Sequence, residues 1–264
     1  MRKTLYTLNV GNKYSPEICA MTYPLMRKYA DKCGAEFFII DDDKFPSWPL
    51  TVNKFQIYDL SRERGDRWSL FMDSDTIVHP DMPDITELIP MDTVFHHNSD
   101  FAACRWRPDD FFRRDGRQIS SASWIMIASS WCRDFWTPPT EQVTDDGLGF
   151  MTKEEIVHRI LLNAKELDYG LPPEHLIDDY TFSRNIARFG LKFTTIHQIS
   201  EKWKLPFRGL WHKYLIPDEV KVGMIRETLH WWAVDGSGDC GRQGCPRCHP
   251  QDVPGQLQPL GGGK

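Results

Sequence analysis

The chain has 264 residues, 41% hydrophobic and 26% charged, which suits one large globular domain or one domain with trimmings. Its formal net charge of −5 gives no support for bulk electrostatic binding to nucleic acid. No run of about 18 apolar residues offers a membrane span, and the N-terminus has no apolar leader segment.

The N-terminal third alternates strand and helix signals. Residues 4–10 read as a first strand, and Gly11-Asn12-Lys13 as a turn. Ser15-Pro16-Glu17 is a helix start, with a serine cap, proline at the first helical position and an acid in the first turn. Ile18, Leu25 and Tyr29 then share a face, Pro24 predicts a kink, and Gly34 ends the helix. Residues 36–40 are a buried strand closed by Asp41-Asp42-Asp43; residues 52–64 read as a helix and 70–72 as a third strand. Near-continuous apolar strands in β-α-β-α-β order predict an α/β fold with a parallel sheet.

Farther along, Pro80, Pro83 and Pro90 mark irregular chain, and residues 100–105 a short strand. Residues 105–117 form a charged, aromatic loop with Trp106, Phe111 and Phe112: a candidate acceptor-binding or closing segment, or a plain surface loop. A strand is expected at 124–128, a loop at 138–149 and a helix at 153–167. Asp178 and Asp179 open a helix running to Arg188, where either a cap with a helix dipole or a functional site explains the two acids. A strand at 191–197 and a helix at 216–232 follow. This divides the chain into a domain at 1–234 and a Gly/Pro-rich tail at 235–264. Cys240, Cys245 and Cys248, followed by His249, make the tail a candidate zinc clip, or simply a segment with exposed thiols. Cys19, Cys33, Cys104 and Cys132 lie in apolar context and read as reduced core thiols, which suits a cytoplasmic chain.

One stretch organises the rest. Leu70-Phe71-Met72 is a buried strand that ends on Asp73-Ser74-Asp75. Capping a turn is the ordinary explanation of such acids. However, ligands of open α/β sheets bind beyond the carboxyl ends of the strands, and this pair stands at such an end. Two hard carboxylates there suit Mg²⁺ or Mn²⁺ holding a diphosphate.

With its β-α-β-α-β opening, Asn53-Lys54-Phe55-Gln56-Ile57-Tyr58 ahead of the acids and Leu176-Ile177-Asp178-Asp179-Tyr180 after them, the chain resembles the GT-A-type nucleotide-sugar glycosyltransferases over roughly residues 4–230. The resemblance is closest to the small retaining galactosyl- and glucosyltransferase-like enzymes of bacteria and phages. It implies a single GT-A-like (Rossmann-like) domain with a mixed, mainly parallel sheet flanked by helices. It further implies that Asp73 and Asp75 hold Mn²⁺ or Mg²⁺ on a nucleoside-diphosphate sugar, that Thr7 and Asn9 border the nucleoside, and that Lys54 and Lys213 approach the phosphates. Asp178 or Asp179 would face the sugar or the acceptor hydroxyl. A late histidine would complete the metal site, His212 ahead of His197 and His230. The acceptor would be a glycan or another hydroxyl-bearing molecule, a modified nucleic acid among them. The chain departs from the family pattern at Ser121-Ala122-Ser123, where related enzymes often carry Asn-Thr-Gly or Asn-Ala-Gly, so acceptor contacts are not carried over there.

Two other readings stand beside this one. Haloacid-dehalogenase-type phosphohydrolases also place Asp-x-Asp after an apolar strand, with the first acid, here Asp73, as nucleophile. Their motif opens the fold, whereas here two strands and two helices come first. The chain could also be a non-catalytic nucleotide-sugar-binding relative.

Overall fold

The computed structural model describes residues 2–12, 14–79, 82–97, 104–106, 122–167, 172–203, 211–212 and 217–237. The tail beyond residue 237, most of the 105–117 loop, Lys213 and Ser121 lie outside the described residues. The chain divides into two units, Met1–Lys213 and Tyr214–Lys264.

The first unit is built on a six-stranded sheet. Its strands, in chain order, are β1 (Lys3–Leu8), β2 (Glu36–Ile40), β3 (Trp68–Met72), β5 (Thr93–His97), β7 (Ala122–Ser129) and β9 (Lys192–Thr195). Two small two-stranded sheets accompany it: β4 (Ile77–Val78) with β10 (Trp211–His212), and β6 (Cys104–Trp106) with β8 (Ala164–Leu167). The helices of this unit are α1 (Pro16–Cys33), α2 (Ile57–Arg64), α3 (Lys153–Asn163), α4 (Ile177–Arg188) and α5 (Ile196–Trp203). The second unit contributes α6 (Asp218–Ser237).

The large sheet has the order β2-β1-β3-β7-β5-β9. β1 pairs in parallel with β2 and β3, and β5 with β9, while β7 runs antiparallel to both β3 and β5. The result is the mixed, mainly parallel α/β sheet flanked by helices expected of a GT-A-like, Rossmann-like chain. All strands except β7 therefore end at one edge, where β7 begins.

Strand alternation splits the core into two layers. Tyr6, Phe71 and Met126 pack with Phe55, Ile57, Tyr180 and Phe182. Their chain neighbours Leu5, Leu70 and Ile127 pack instead with Met26, Tyr29 and Cys33 of α1 and with Ile199 of α5. This period of two in the strands is what puts α1 on one face and α4 on the other. Ser15 caps α1 by accepting from the Ile18 N–H at 3.2 Å, Gly34 closes it in the left-handed conformation at φ 62°, and the helix runs on through Pro24.

α4 is buried from Ile177 to Ala187. Its polar side chains are met inside: the Asn185 amide donates to the carbonyls of Phe135 (3.0 Å) and Thr137 (2.8 Å) and accepts from Gln142 Nε2 at 2.9 Å. Arg184 donates to the Val143 carbonyl at 3.2 Å and stands 3.5 Å from Asp145. A helix anchored this way can hold its first turn at a fixed place over the sheet.

Several elements differ from the expectations. The helix expected at 52–64 is a 3₁₀ segment, Leu50–Gln56, followed by α2, because Asn53 and Gln56 turn inward to hold the loop after β2. The expected helix at 153–167 stops at Asn163, and Ala164–Leu167 pairs with β6. β9 ends at Thr195 and α5 begins, so His197 lies in a helix rather than at a strand end. β5 was not anticipated, although Thr93-Val94-Phe95 has the β-branched and aromatic character of a strand.

Cys19, Cys33 and Cys132 are buried thiols outside any disulfide. Burial, reinforced by the Asp84 carboxylate, pushes the Cys33 thiol up to about 12. Burial together with the charge of Asp92 pushes Cys132 up to about 11. Both remain thiols at neutral and mildly alkaline pH, and the thiolate is the reactive form. Mass spectrometry after iodoacetamide treatment of the native chain at pH 8 should find Cys33 and Cys132 unmodified and both alkylated in urea; rapid native labelling of either would contradict the packing described.

Candidate active site

The carboxyl edge of the sheet gathers Asn9 after β1, residues 41–43 after β2, Asp73 after β3 and His96-His97 at the end of β5. Asp73 leaves β3 with its N–H on the Trp124 carbonyl at 2.8 Å, which continues the β3–β7 pairing by one residue. The Thr76 N–H then returns to the Asp73 carbonyl at 2.9 Å, closing a turn over residues 73–76 that leads into β4.

This turn is not a surface turn. Asp73 is 5% exposed, Ser74 0%, Asp75 2% and Thr76 0%. A carboxylate removed from water is costly unless charge or hydrogen bonds meet it. For Asp73 the compensating charge comes from Lys54, whose Nζ lies 3.2 Å from Asp73 Oδ1. The same ammonium donates to Asp178 Oδ2 at 2.8 Å. Lys54 is itself only 3% exposed and lies 5.2 Å from the centre of the Phe71 ring. Three residues far apart in the chain, on the 3₁₀ segment, the β3 exit and the first turn of α4, thus meet in one buried ion cluster.

Asp178 and Asp179 lie in the first turn of α4, where the helix dipole favours negative charge. Asp178 is not the cap residue: the helix starts at Ile177, and Asp178 Oδ1 accepts the Asp179 N–H at 3.0 Å while Oδ2 takes Lys54. Asp179 is 6% exposed.

Ser74, between the two acids, joins three elements. Its hydroxyl is 2.9 Å from the Leu8 carbonyl, 2.9 Å from Thr7 Oγ1 and 3.0 Å from the Tyr23 hydroxyl. Its own carbonyl accepts from Thr22 Oγ1 at 2.6 Å. Thr7 is wholly buried and meets the turn through this contact. The Asn9 N–H donates to the Ile40 carbonyl at 2.9 Å, and its side chain accepts the Tyr14 N–H at 3.2 Å, shaping the loop after β1. Next to it, Asn53 holds the loop after β2, donating to Asp43 Oδ1 at 2.9 Å and accepting from the Lys44 N–H at 2.9 Å.

The backbone of His212 lies opposite Ile77, two residues beyond Asp75. This brings a residue 137 positions later in the chain beside the strand that continues the acid turn. His197 is in α5, and His230 is in α6 of the second unit. Two residues not expected at the site also reach this edge: Ser74, and His96, which is 1% exposed with its ring 5.3 Å from Phe193. His96 could have been found only by recognising β5.

The donor set fits a hard divalent cation. Asp73 and Asp75 offer carboxylate oxygens one residue apart on a pinned turn. Among the described residues no group of three or more His, Cys, Asp or Glu forms a protein-built cage. Mg²⁺ and ions like it are commonly held by one or two carboxylates with substrate phosphates supplying the remaining ligands, and the acid pair meets that requirement.

No family model matches the chain, and no curated protein matches it. Among solved structures the chain is similar to a glycosyltransferase involved in the glycosylation of the major capsid of PBCV-1. The identity is 12% and the TM-score 0.47, over 85% of this chain and 99% of that chain. A similarity of that size decides nothing about activity. No described helix is long and apolar enough to cross a membrane.

The ion cluster makes a direct prediction. Lys54→Met leaves Asp73 and Asp178 without the ammonium they share and should cost about 3–5 kcal/mol of stability. Lys54→Met combined with Asp178→Asn should lose distinctly less than the sum of the single changes, as urea denaturation would show. Strictly additive losses would mean that the three groups are not coupled.

Proposed function

We propose that this chain is a metal-dependent glycosyltransferase that moves a sugar from a nucleoside-diphosphate sugar to an acceptor hydroxyl, with retention of configuration. The observation that carries this reading is the pair of buried carboxylates, Asp73 and Asp75, on a pinned turn at the carboxyl end of a central strand, with Lys54 bridging Asp73 to Asp178. A bare turn would not require acids at 5% and 2% exposure.

In this reading Asp73 and Asp75 would hold Mn²⁺ or Mg²⁺, with His212 assigned as a third ligand, and the ion would supply positive charge to the diphosphate. The bond between the anomeric carbon and the diphosphate oxygen breaks, and its electron pair leaves with the nucleoside diphosphate. A bond forms from that carbon to the acceptor oxygen, and the acceptor's proton passes to an oxygen of the leaving diphosphate. Lys54, between Asp73 and Asp178, holds the metal-side acid and the sugar-side acid in register and adds a positive charge near the leaving phosphates. Lys213, outside the described residues, is assigned to the phosphates. Asp178 and Asp179, at the start of an immobilised helix, face the transferred sugar or acceptor, and Asn9 with Thr7 behind it borders the nucleoside. The acceptor is a glycan or another hydroxyl-bearing molecule, a modified nucleic acid among them.

Cys240, Cys245 and Cys248, also outside the described residues, keep both readings, a structural zinc clip or plain thiols. The cytoplasm is proposed as the compartment, supported by the reduced thiols of Cys19, Cys33 and Cys132.

A phosphohydrolase with Asp73 as nucleophile is the rival favoured by one observation, the Lys54 ammonium 3.2 Å from that carboxylate. Sugar release from a panel of nucleotide sugars with Mn²⁺ separates the two. The wild-type chain should release sugar only with metal, and Asp75→Asn should lower the rate by about a hundredfold or more. Unchanged release by Asp75→Asn would remove the metal role, and a trapped aspartyl-phosphate at Asp73 would establish the rival. Metal-dependent nucleotide binding without any release would mark a non-catalytic relative.

A further inference from the structure

We propose that Ser74 is a positioning residue whose hydroxyl, with those of Thr7, Thr22 and Tyr23, sets the pose in which the acid turn presents Asp73 and Asp75 and couples that turn to the end of β1. The proposal rests on the metal–diphosphate reading of the acid pair.

The hydrogen bonds have only one consistent assignment. A serine hydroxyl has one proton and two lone pairs. The Leu8 carbonyl can only accept, so the Ser74 proton goes to it, at 2.9 Å. Thr7 at 2.9 Å and Tyr23 at 3.0 Å must then donate to Ser74. Every hydrogen-bonding position of the hydroxyl is filled, in a residue that is 0% exposed. The main chain of the same residue is held as well, its carbonyl accepting from Thr22 at 2.6 Å.

The middle residue of a tight turn ordinarily faces solvent and is chosen for turn chemistry. Here it points inward and is gripped by β1 through Thr7 and Leu8 and by α1 through Thr22 and Tyr23. The grip falls on the residue between the two carboxylates, so a shift of Ser74 displaces both acids together. Leu8 is also the last residue of β1, directly before Asn9, so the two walls assigned to the diphosphate and the nucleoside move as one piece. Ligand groups of this kind work when held within about 0.5 Å of their productive place.

β1 supplies its own control. At the opposite end of the same strand Thr4, also 0% exposed, donates to Asp66 Oδ1 at 2.9 Å. This buried hydroxyl serves the fold away from the carboxyl edge. Tyr23→Phe offers a mild probe at the site, since it removes one donor to Ser74, together with the hydroxyl's contacts to Cys19 and Asn9, and keeps the ring against Phe37 at 5.6 Å between centres.

The test uses the full chain and whichever of UDP, GDP, ADP or CDP raises the wild-type melting temperature together with Mn²⁺. The apparent Mn²⁺ affinity at saturating nucleotide is measured for wild type, Ser74→Ala, Tyr23→Phe and Thr4→Val. Ser74→Ala should weaken Mn²⁺ about tenfold and Tyr23→Phe about fivefold, with Tyr23→Phe melting near the wild type without ligand. Thr4→Val should lower the ligand-free melting temperature and leave the Mn²⁺ affinity unchanged. If Ser74→Ala does not fold, Tyr23→Phe decides. Wild-type Mn²⁺ affinity in folded Ser74→Ala or Tyr23→Phe, or an equal loss in Thr4→Val, overturns the positioning role while leaving the metal reading in place. A wild-type chain that responds to none of these nucleotides with Mn²⁺ overturns the metal–diphosphate reading and this proposal with it.

Discussion

The arrangement depends on one ammonium group. Lys54 reaches Asp73 at the exit of β3 and Asp178 at the start of α4, at 3.2 Å and 2.8 Å. All three residues are nearly closed to solvent. Buried charges are tolerated when paired, and removing one partner is far more costly than the pair is favourable. The cluster therefore constrains the 3₁₀ segment, the central strand and the buried helix to stay together, since any one leaving would expose the others to an unmet charge. Such a cluster is a poor source of net stability, because the cost of removing its charges from water offsets most of their attraction.

Around that cluster the structure supplies rigidity at little chemical variety. Hydroxyls and amides do most of the holding: Ser74 with its threonine and tyrosine partners on one side, Asn53 and Gln56 on the next loop, Asn185 under α4. Each satisfies several groups at once, and networks of this kind have few alternative arrangements of equal energy. Aromatic stacking completes the support, with Phe182 4.3 Å from Phe55 and 4.8 Å from Phe135 between ring centres. α4 thus packs against the same 3₁₀ segment that carries Lys54.

The α/β class and the importance of the acid pair could be read from the chain alone, because both are local. Apolar runs such as residues 36–40 and 70–72 mark strands, and Asp73 follows one of them directly. Asp178 and Lys54 were also identifiable, but their contact was not: they are 124 positions apart and nothing in the spacing says that they meet. Ser74 carries no signal in the sequence, since serine between two acids is ordinary turn composition, and its role comes from Thr7 and Tyr23, which only the fold brings near. β5 and with it His96 are hidden in the sequence, because the prolines at 83 and 90 suggest irregular chain. The helix expected at 52–64 and the one expected at 153–167 were overextended for one reason: inward-turning side chains or strand pairing won over local helical propensity.

The proposed function stands or falls with the acid pair as the metal–diphosphate anchor. The most direct measurement is anomalous scattering from Mn²⁺ in crystals of the chain grown with a nucleoside diphosphate. A manganese peak is expected about 2 Å from carboxylate oxygens of the acid turn, with phosphate oxygens completing its coordination. A nucleotide bound with its metal elsewhere, or a manganese site that leaves Asp73 and Asp75 untouched, would contradict it.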